Sequence, residues 1–147
     1  MMAANHSSES PTLRVSGPDP SLSPRDVVAI QLDALRHNDQ PYHDAGIETV
    51  FRFASEGNQR STGPLRRFAG LVRNPLYAPL LYHRRADLGE TYTLGDEVAW
   101  MNVRVIDDNE QSHIYEFMLS RDPNTSCWRT DSVLPTLPDG FEFKAES

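Results

Sequence analysis

The sequence lacks almost every signature that would name a chemistry. It has one cysteine, Cys127, and so can close no internal disulfide, which fits a reducing compartment. It has no apolar run of about 18 residues, so no membrane-spanning helix is expected. Met1 to Ser10 carries no basic region followed by an apolar one, so no secretory leader is expected. A cytoplasmic chain is the first reading. The serine-rich start makes a plastid transit peptide the lesser alternative, opposed by its shortness and by Glu9 and Asp19. No glycine loop of the phosphate-cradling kind, no Ser-His-Asp signature and no internal repeat is present. No cofactor is implied. The sequence therefore says more about fold than about activity.

Acids are scarce in one stretch only. From Arg52 to Arg85 there are seven arginines and one acid, Glu56, a charge of +6 that leaves −13 for the rest of a chain of net charge −7. The acidic remainder argues against nucleic acid as a partner. The basic segment suits a small anionic ligand or an acidic protein partner; alternatively its arginines pair with the chain's own carboxylates or stand in solvent.

The 147 residues make one domain with ragged ends. A chain of this size buries roughly two thirds of its unfolded surface and needs no covalent staple. Residues 1–22 are rich in serine and proline with little apolar bulk, and they read as a flexible tail. The domain is expected over 23–134, and residues 135–147 as a second tail in which Phe141 and Phe143 could dock.

Three helices are expected, near 23–37, 44–54 and 64–74. Ser23, Pro24 and Asp26 give the first an N-cap, a first-turn proline and the acid of a capping box. Val27, Ile30, Gln31 and Ala34 form one stripe, with Val28, Leu32 and Leu35 beside it. In the second, Ile47, Val50, Phe51 and Ala54 share a face, and Gly57 stops it. Residues 55–63 read as a polar loop. In the third, Leu65, Phe68, Ala69 and Val72 share a face, and Asn74-Pro75 ends it. Leu76 to Leu81 allows one further turn.

The stretch 68–88 is the pivot, because the period changes there from helical to alternating. Four strands are expected at about 86–94, 97–107, 112–121 and 127–134, joined by turns short enough to force an antiparallel meander. Ala99, Met101, Val103 and Val105 share one face, as do His113, Tyr115, Phe117 and Leu119. The opposite face mixes Trp100, Ile106, Ile114 and Met118 with Asn102, Arg104 and Glu116. Left in water these apolar groups make a patch that small monomers seldom expose, so a homodimer through this face is expected.

The segments SPRDVVAIQLDALRHND (23–39), GIETVFRFAS (46–55), GPLRRFAGLVRNPLYAPLLYHRRADLG (63–89) and SCWRTDSV (126–133) resemble a family labelled only as a domain of unknown function. That resemblance implies a cone-shaped α+β fold of the nuclear transport factor 2-like kind: three helices on a curved four-stranded meander. It implies no activity, since the wider superfamily includes both pocket enzymes and non-catalytic dimeric modules.

Several residues are candidates for a site. Tyr82, His83, Arg84 and Arg85 stand where the last helical turn enters the sheet, and together they suit a carboxylate or phosphate. Alternation along the chain would instead split them between two sides. Trp100, Tyr115, Phe117 and Trp128 suit a small apolar or aromatic ligand if they line a cavity, and are core otherwise. His37, Asp39, His43 and Asp44 match no metal spacing, so no metal is expected and turn roles are the default. Asp131, with His113 or Tyr115, is a weak catalytic candidate, as a carboxylate base with a polar helper; Asp33 offers a further acid. Cys127 reads as filler.

The leading expectation is a non-catalytic binding or assembly module acting through its sheet face and the Arg52–Arg85 segment. The alternative is a small pocket enzyme, a lyase, isomerase or hydrolase of a modest organic molecule.

Overall fold

A computed structural model describes residues 17–136. Most of both expected tails, including Phe141 and Phe143, lies outside the described residues. Near the first described residues, the Leu22 amide bonds to the Asp19 carbonyl at 3.0 Å, and Leu22 packs against the core.

Helix α1 spans Pro24–Arg36. Its capping box is complete: Ser23 Oγ accepts from the Asp26 amide at 3.0 Å, and Asp26 Oδ2 accepts from the Ser23 amide at 2.9 Å. Val27, Val28, Gln31, Leu32 and Leu35 are buried, the wide arc expected of a helix covered on more than one side. Helix α2, Ala45–Phe53, lies close against it. At their contact Gly46 has no room for a side chain, since a Cβ there would sit 2.1 Å from the Ala34 carbonyl oxygen. Phe53 is fully buried, although the expected stripe omitted it, while Val50 and Phe51 are half-buried. Phe51 meets Phe68 of the fourth helix with ring centroids 5.1 Å apart.

Residues 55–63, expected as a loop, contain a helix. Helix α3 spans Glu56–Thr62, with Ser55 as its N-cap. It buries no residue, so it has no apolar period to read. Polar side chains fix it instead: Asn58 Nδ2 donates to the Thr130 carbonyl at 3.1 Å, and Gln59 Nε2 donates to the Phe51 carbonyl at 2.7 Å. Helix α4 follows at Leu65–Val72, and the expected extra turn is a 3-10 helix at Ala78–Leu80. There are thus four α-helices among the described residues, not three.

The sheet has five strands rather than four: β1 Arg85–Leu88, β2 Tyr92–Leu94, β3 Val98–Ile106, β4 Ser112–Arg121 and β5 Trp128–Pro135. The first expected strand, 86–94, is divided. Both halves pair antiparallel with β3, but Leu88 faces Val103 and Tyr92 faces Trp100, so the outer chain holds one residue more than its partner. Gly89 sits at the break, its amide bonded to the Asn102 carbonyl at 2.8 Å. The order β1–β3–β4–β5, with β2 also on β3, is an open antiparallel meander. The outer edge of β5 is partly capped by the α2–α3 junction, where the Ser55 amide bonds to the Thr130 carbonyl at 2.8 Å.

The inward face is the one the alternation indicated. Ala99, Met101, Val103, Val105, Tyr115, Phe117 and Leu119 are all buried under the helices, and His113 is half-buried at the end of that row. No helix among the described residues is long and apolar enough to cross a membrane.

Candidate functional site

The helices do not close onto the sheet everywhere. A cleft of about 370 Å³ remains between all four of them and the last strand. Gln31 and Leu35 of α1 and Val50 of α2 form one side. Phe68 and Leu71 of α4, with Tyr77 and Leu80, form the other. Phe117 and residues 130–134 supply the sheet wall. Asn58, Ser61 and Thr62 make a polar wall on α3, the helix that sequence periodicity could not detect.

The strand wall is shaped by a bulge. Met118 faces Ser132 and Leu119 faces Thr130, so Asp131 has no opposite residue on β4. Asp131 therefore lines the cleft while remaining exposed, and its Oδ1 accepts from Ser120 Oγ at 3.0 Å. Tyr77 is the other titratable group on the cleft. Its hydroxyl donates to the Val133 carbonyl at 2.8 Å, and burial raises its pKa above the usual phenol value.

Gln31 is fully buried. Its Nε2 donates to Thr130 Oγ1 at 2.8 Å and to the Val27 carbonyl at 3.2 Å. Its Oε1 has no hydrogen-bond partner among the described residues. A carbonyl oxygen such as that of Val27 can only face a donor, which fixes the nitrogen on that side and the unpaired oxygen on the other.

The other candidates lie elsewhere, and they do not converge. Tyr82 donates to Asp39 Oδ2 at 2.7 Å, Arg84 to Glu110 at 2.6 Å and Arg85 to Asp87 at 3.1 Å. His83 is buried with Nδ1 2.7 Å from the Leu80 carbonyl. Desolvation lowers its pKa, against the raising effect of that carbonyl. Trp100 is on the outer face of the sheet beneath Tyr92, the rings 6.0 Å apart, whereas Trp128 is buried at the far end of β5 under Arg121. His113 pairs with Asp107 at 2.8 Å. The Tyr115 hydroxyl is held by the Leu76 carbonyl at 2.7 Å, and burial pushes its pKa well up. Cys127 is buried, and His37 and Asp33 sit together near the end of α1. Of the candidate site residues named in advance, only Asp131 and Phe117 reach the cleft; Gln31, Leu35, Val50, Ala54, Phe68 and Val72 also line it but were named only as helix-stripe positions.

Asp39, His43 and Asp44 offer ligand atoms within 4.8 Å of one another. Asp44 is engaged by both Nη atoms of Arg73, at 2.6 and 2.9 Å, and by Asn38 at 2.8 Å. The Arg73 bonds lead in holding its carboxyl below the usual range. Five of the seven arginines in 52–85, namely Arg52, Arg60, Arg73, Arg84 and Arg85, lie within salt-bridge reach of carboxylates of the same chain.

The sequence pattern of a domain of unknown function, DUF4864, matches residues 21–140. The chain belongs to that family. The match spans every helix and strand described above, and so includes all the walls of the cleft. No curated protein and no solved structure matches this DUF4864 chain.

Proposed function

We propose that this DUF4864 chain is a non-catalytic binding module, and that its helix–sheet cleft is the binding site. The observation that carries the reading is the composition of the cleft. Its walls are apolar side chains, amides and hydroxyls, and Tyr77 and Asp131 are its two titratable groups. Tyr77 is tied to Val133, and Asp131 is solvated and bonded to Ser120. A volume of about 370 Å³ suits a small organic molecule. The 52–85 segment contributes through α3, α4 and the 3-10 turn, with its apolar and neutral polar side chains.

The four-helix, five-strand architecture supports the finer assignment to the nuclear transport factor 2-like kind, because helices cover one face of an antiparallel meander. A cytoplasmic homodimer is part of the same proposal. Tyr92, Trp100 and Met118 are cross-strand neighbours on the uncovered face, and Tyr92, Leu94 and Leu134 are exposed.

The second reading, a pocket lyase, isomerase or hydrolase, is favoured by one fact: Asp131 does line the cleft. Solution NMR titration with a panel of small neutral aromatics separates the two. Saturable shifts at Val50, Phe68 and Val133 that survive Asp131→Asn support the binding module. A molecule that the wild type converts and Asp131→Asn does not would overturn it.

A further inference from the structure

Granting the homodimer through the uncovered face of the sheet, we propose that Glu116 of each copy pairs with Arg104 of the other, so that a second copy completes a site that one copy leaves open. Glu116 stands in the middle of β4 on the outer face, half-buried, with Ile114 and Met118 along its strand and Asn102 and Leu134 opposite it. Among the described residues it has no hydrogen bond and no ion pair. A carboxylate half removed from water and left without a partner is unfavourable, and an interface closing over it removes more of that water. Arg104 is one row away, opposite Ile114, yet its Nη1 turns to Ser112 Oγ at 3.2 Å, on the far side of Ile114 from Glu116. Asp87, opposite Arg104 on β1, is held by Arg85 at 3.1 Å.

The face is therefore self-complementary. It holds one anion and one cation without an ionic partner, in adjacent cross-strand rows. A two-fold axis lying across the strands between those rows exchanges them. Each Arg104 then comes over the partner's row of Asn102 and Glu116, within reach of an arginine side chain. The same axis sets Trp100 over the partner's Ile106, so that apolar groups of β3 cover one another. Each copy carries a net charge of −7, so two copies repel at long range. Reciprocal pairs within the interface oppose that repulsion and fix which way round the copies meet. A protein of other sequence gains nothing from this reciprocity, which is why the occupant is a second copy.

The test is sedimentation velocity of the full chain with single charge reversals, Arg104→Glu and Glu116→Arg, each alone and then mixed. In either variant alone the two-fold brings like charges together, so dimerisation is expected to weaken roughly tenfold or more. In an equimolar mixture the two variants present opposite charges at both contacts. A heterodimer is then expected at concentrations where each variant alone is a monomer. Pairing of Arg104 with Glu116 inside one chain cannot give that recovery, because each variant then carries two like charges of its own. A mixture no more dimeric than its components, beside a dimeric wild type, would overturn the pair and leave the face as the interface. Single variants that each dimerise as the wild type does would overturn the pair too. A monomeric wild type at the same concentration would overturn the homodimer and the pair together.

Discussion

Gln31 and Thr130 meet at 2.8 Å although 99 positions separate them in the chain. The bond ties the first helix to the last strand across the floor of the cleft. Thr130 also anchors α3, since its carbonyl accepts from the Ser55 amide and from Asn58 Nδ2. One strand residue thus fixes two walls. Thr130→Val is expected to cost about 1 kcal/mol, because the Gln31 amide loses one of its two acceptors. Urea denaturation checks this: the midpoint should fall with little change in slope.

Gly46→Ala tests the α1–α2 contact with opposing signs. Helix propensity alone would have alanine stabilise by roughly 1 kcal/mol. The added Cβ would lie 2.1 Å from the Ala34 carbonyl oxygen and 2.8 Å from Asn38 Oδ1. Backbone cannot yield as a flexible side chain can, so the clash should win by about 2 kcal/mol or more. A thermal melt that rises instead would show that the two helices are further apart.

Much of the fold was legible before the structure. The switch of period near Tyr82, the capping box at Ser23 and the alternation of Val103 and Tyr115 each reported a local cause that tertiary packing left in place. Helix α3 was not legible, because its stability comes from Asn58 and Gln59 bonding to residues distant in sequence rather than from an apolar face. Gly57, read as a stop, stands one residue inside it; Ser55 followed by Glu56 was the one local sign of a helix start. The strand break at Gly89 and the bulge at Asp131 were hidden for a similar reason, since each depends on register with a neighbouring strand. The cleft itself is a gap between elements, and the aromatic residues named in advance mostly fill the core or the outer face instead.

Ser55→Ala therefore has a local expected effect. Losing the cap that accepts from the Asn58 amide should cost about 1 kcal/mol and free α3 first. Amide exchange at Gln59, whose N–H bonds to the Ser55 carbonyl, should accelerate more than exchange at Val103 in the sheet. Uniform acceleration through the whole domain would contradict a separately held α3.

His83 predicts a pH dependence. Its folded pKa is lowered by desolvation, while an unfolded histidine titrates near 6.5. The unfolded chain then binds the proton more readily, so this residue's contribution is complete above about pH 6.5 and is lost as pH falls toward the folded value. Urea midpoints measured from pH 8 down to pH 5 should fall in the wild type and fall less in His83→Gln. Parallel curves would show that His83 does not titrate differently on unfolding.

Trp100→Lys addresses the uncovered face of the sheet. Trp100 lies between Tyr92 and Met118 on neighbouring strands, so a charge there lands in the middle of the row. Sedimentation of the full chain at micromolar concentration should show a dimer for the wild type and a monomer for the variant. A monomer in both cases would rule out assembly through this face.

The binding reading of the cleft is tested most directly by native mass spectrometry of the chain purified from its own cellular extract, beside a Val50→Trp variant whose indole occupies the cleft. The expected result is a small neutral molecule carried by the wild type and absent from the folded variant. No retained molecule in the wild type, or the same molecule retained equally by both, would contradict it.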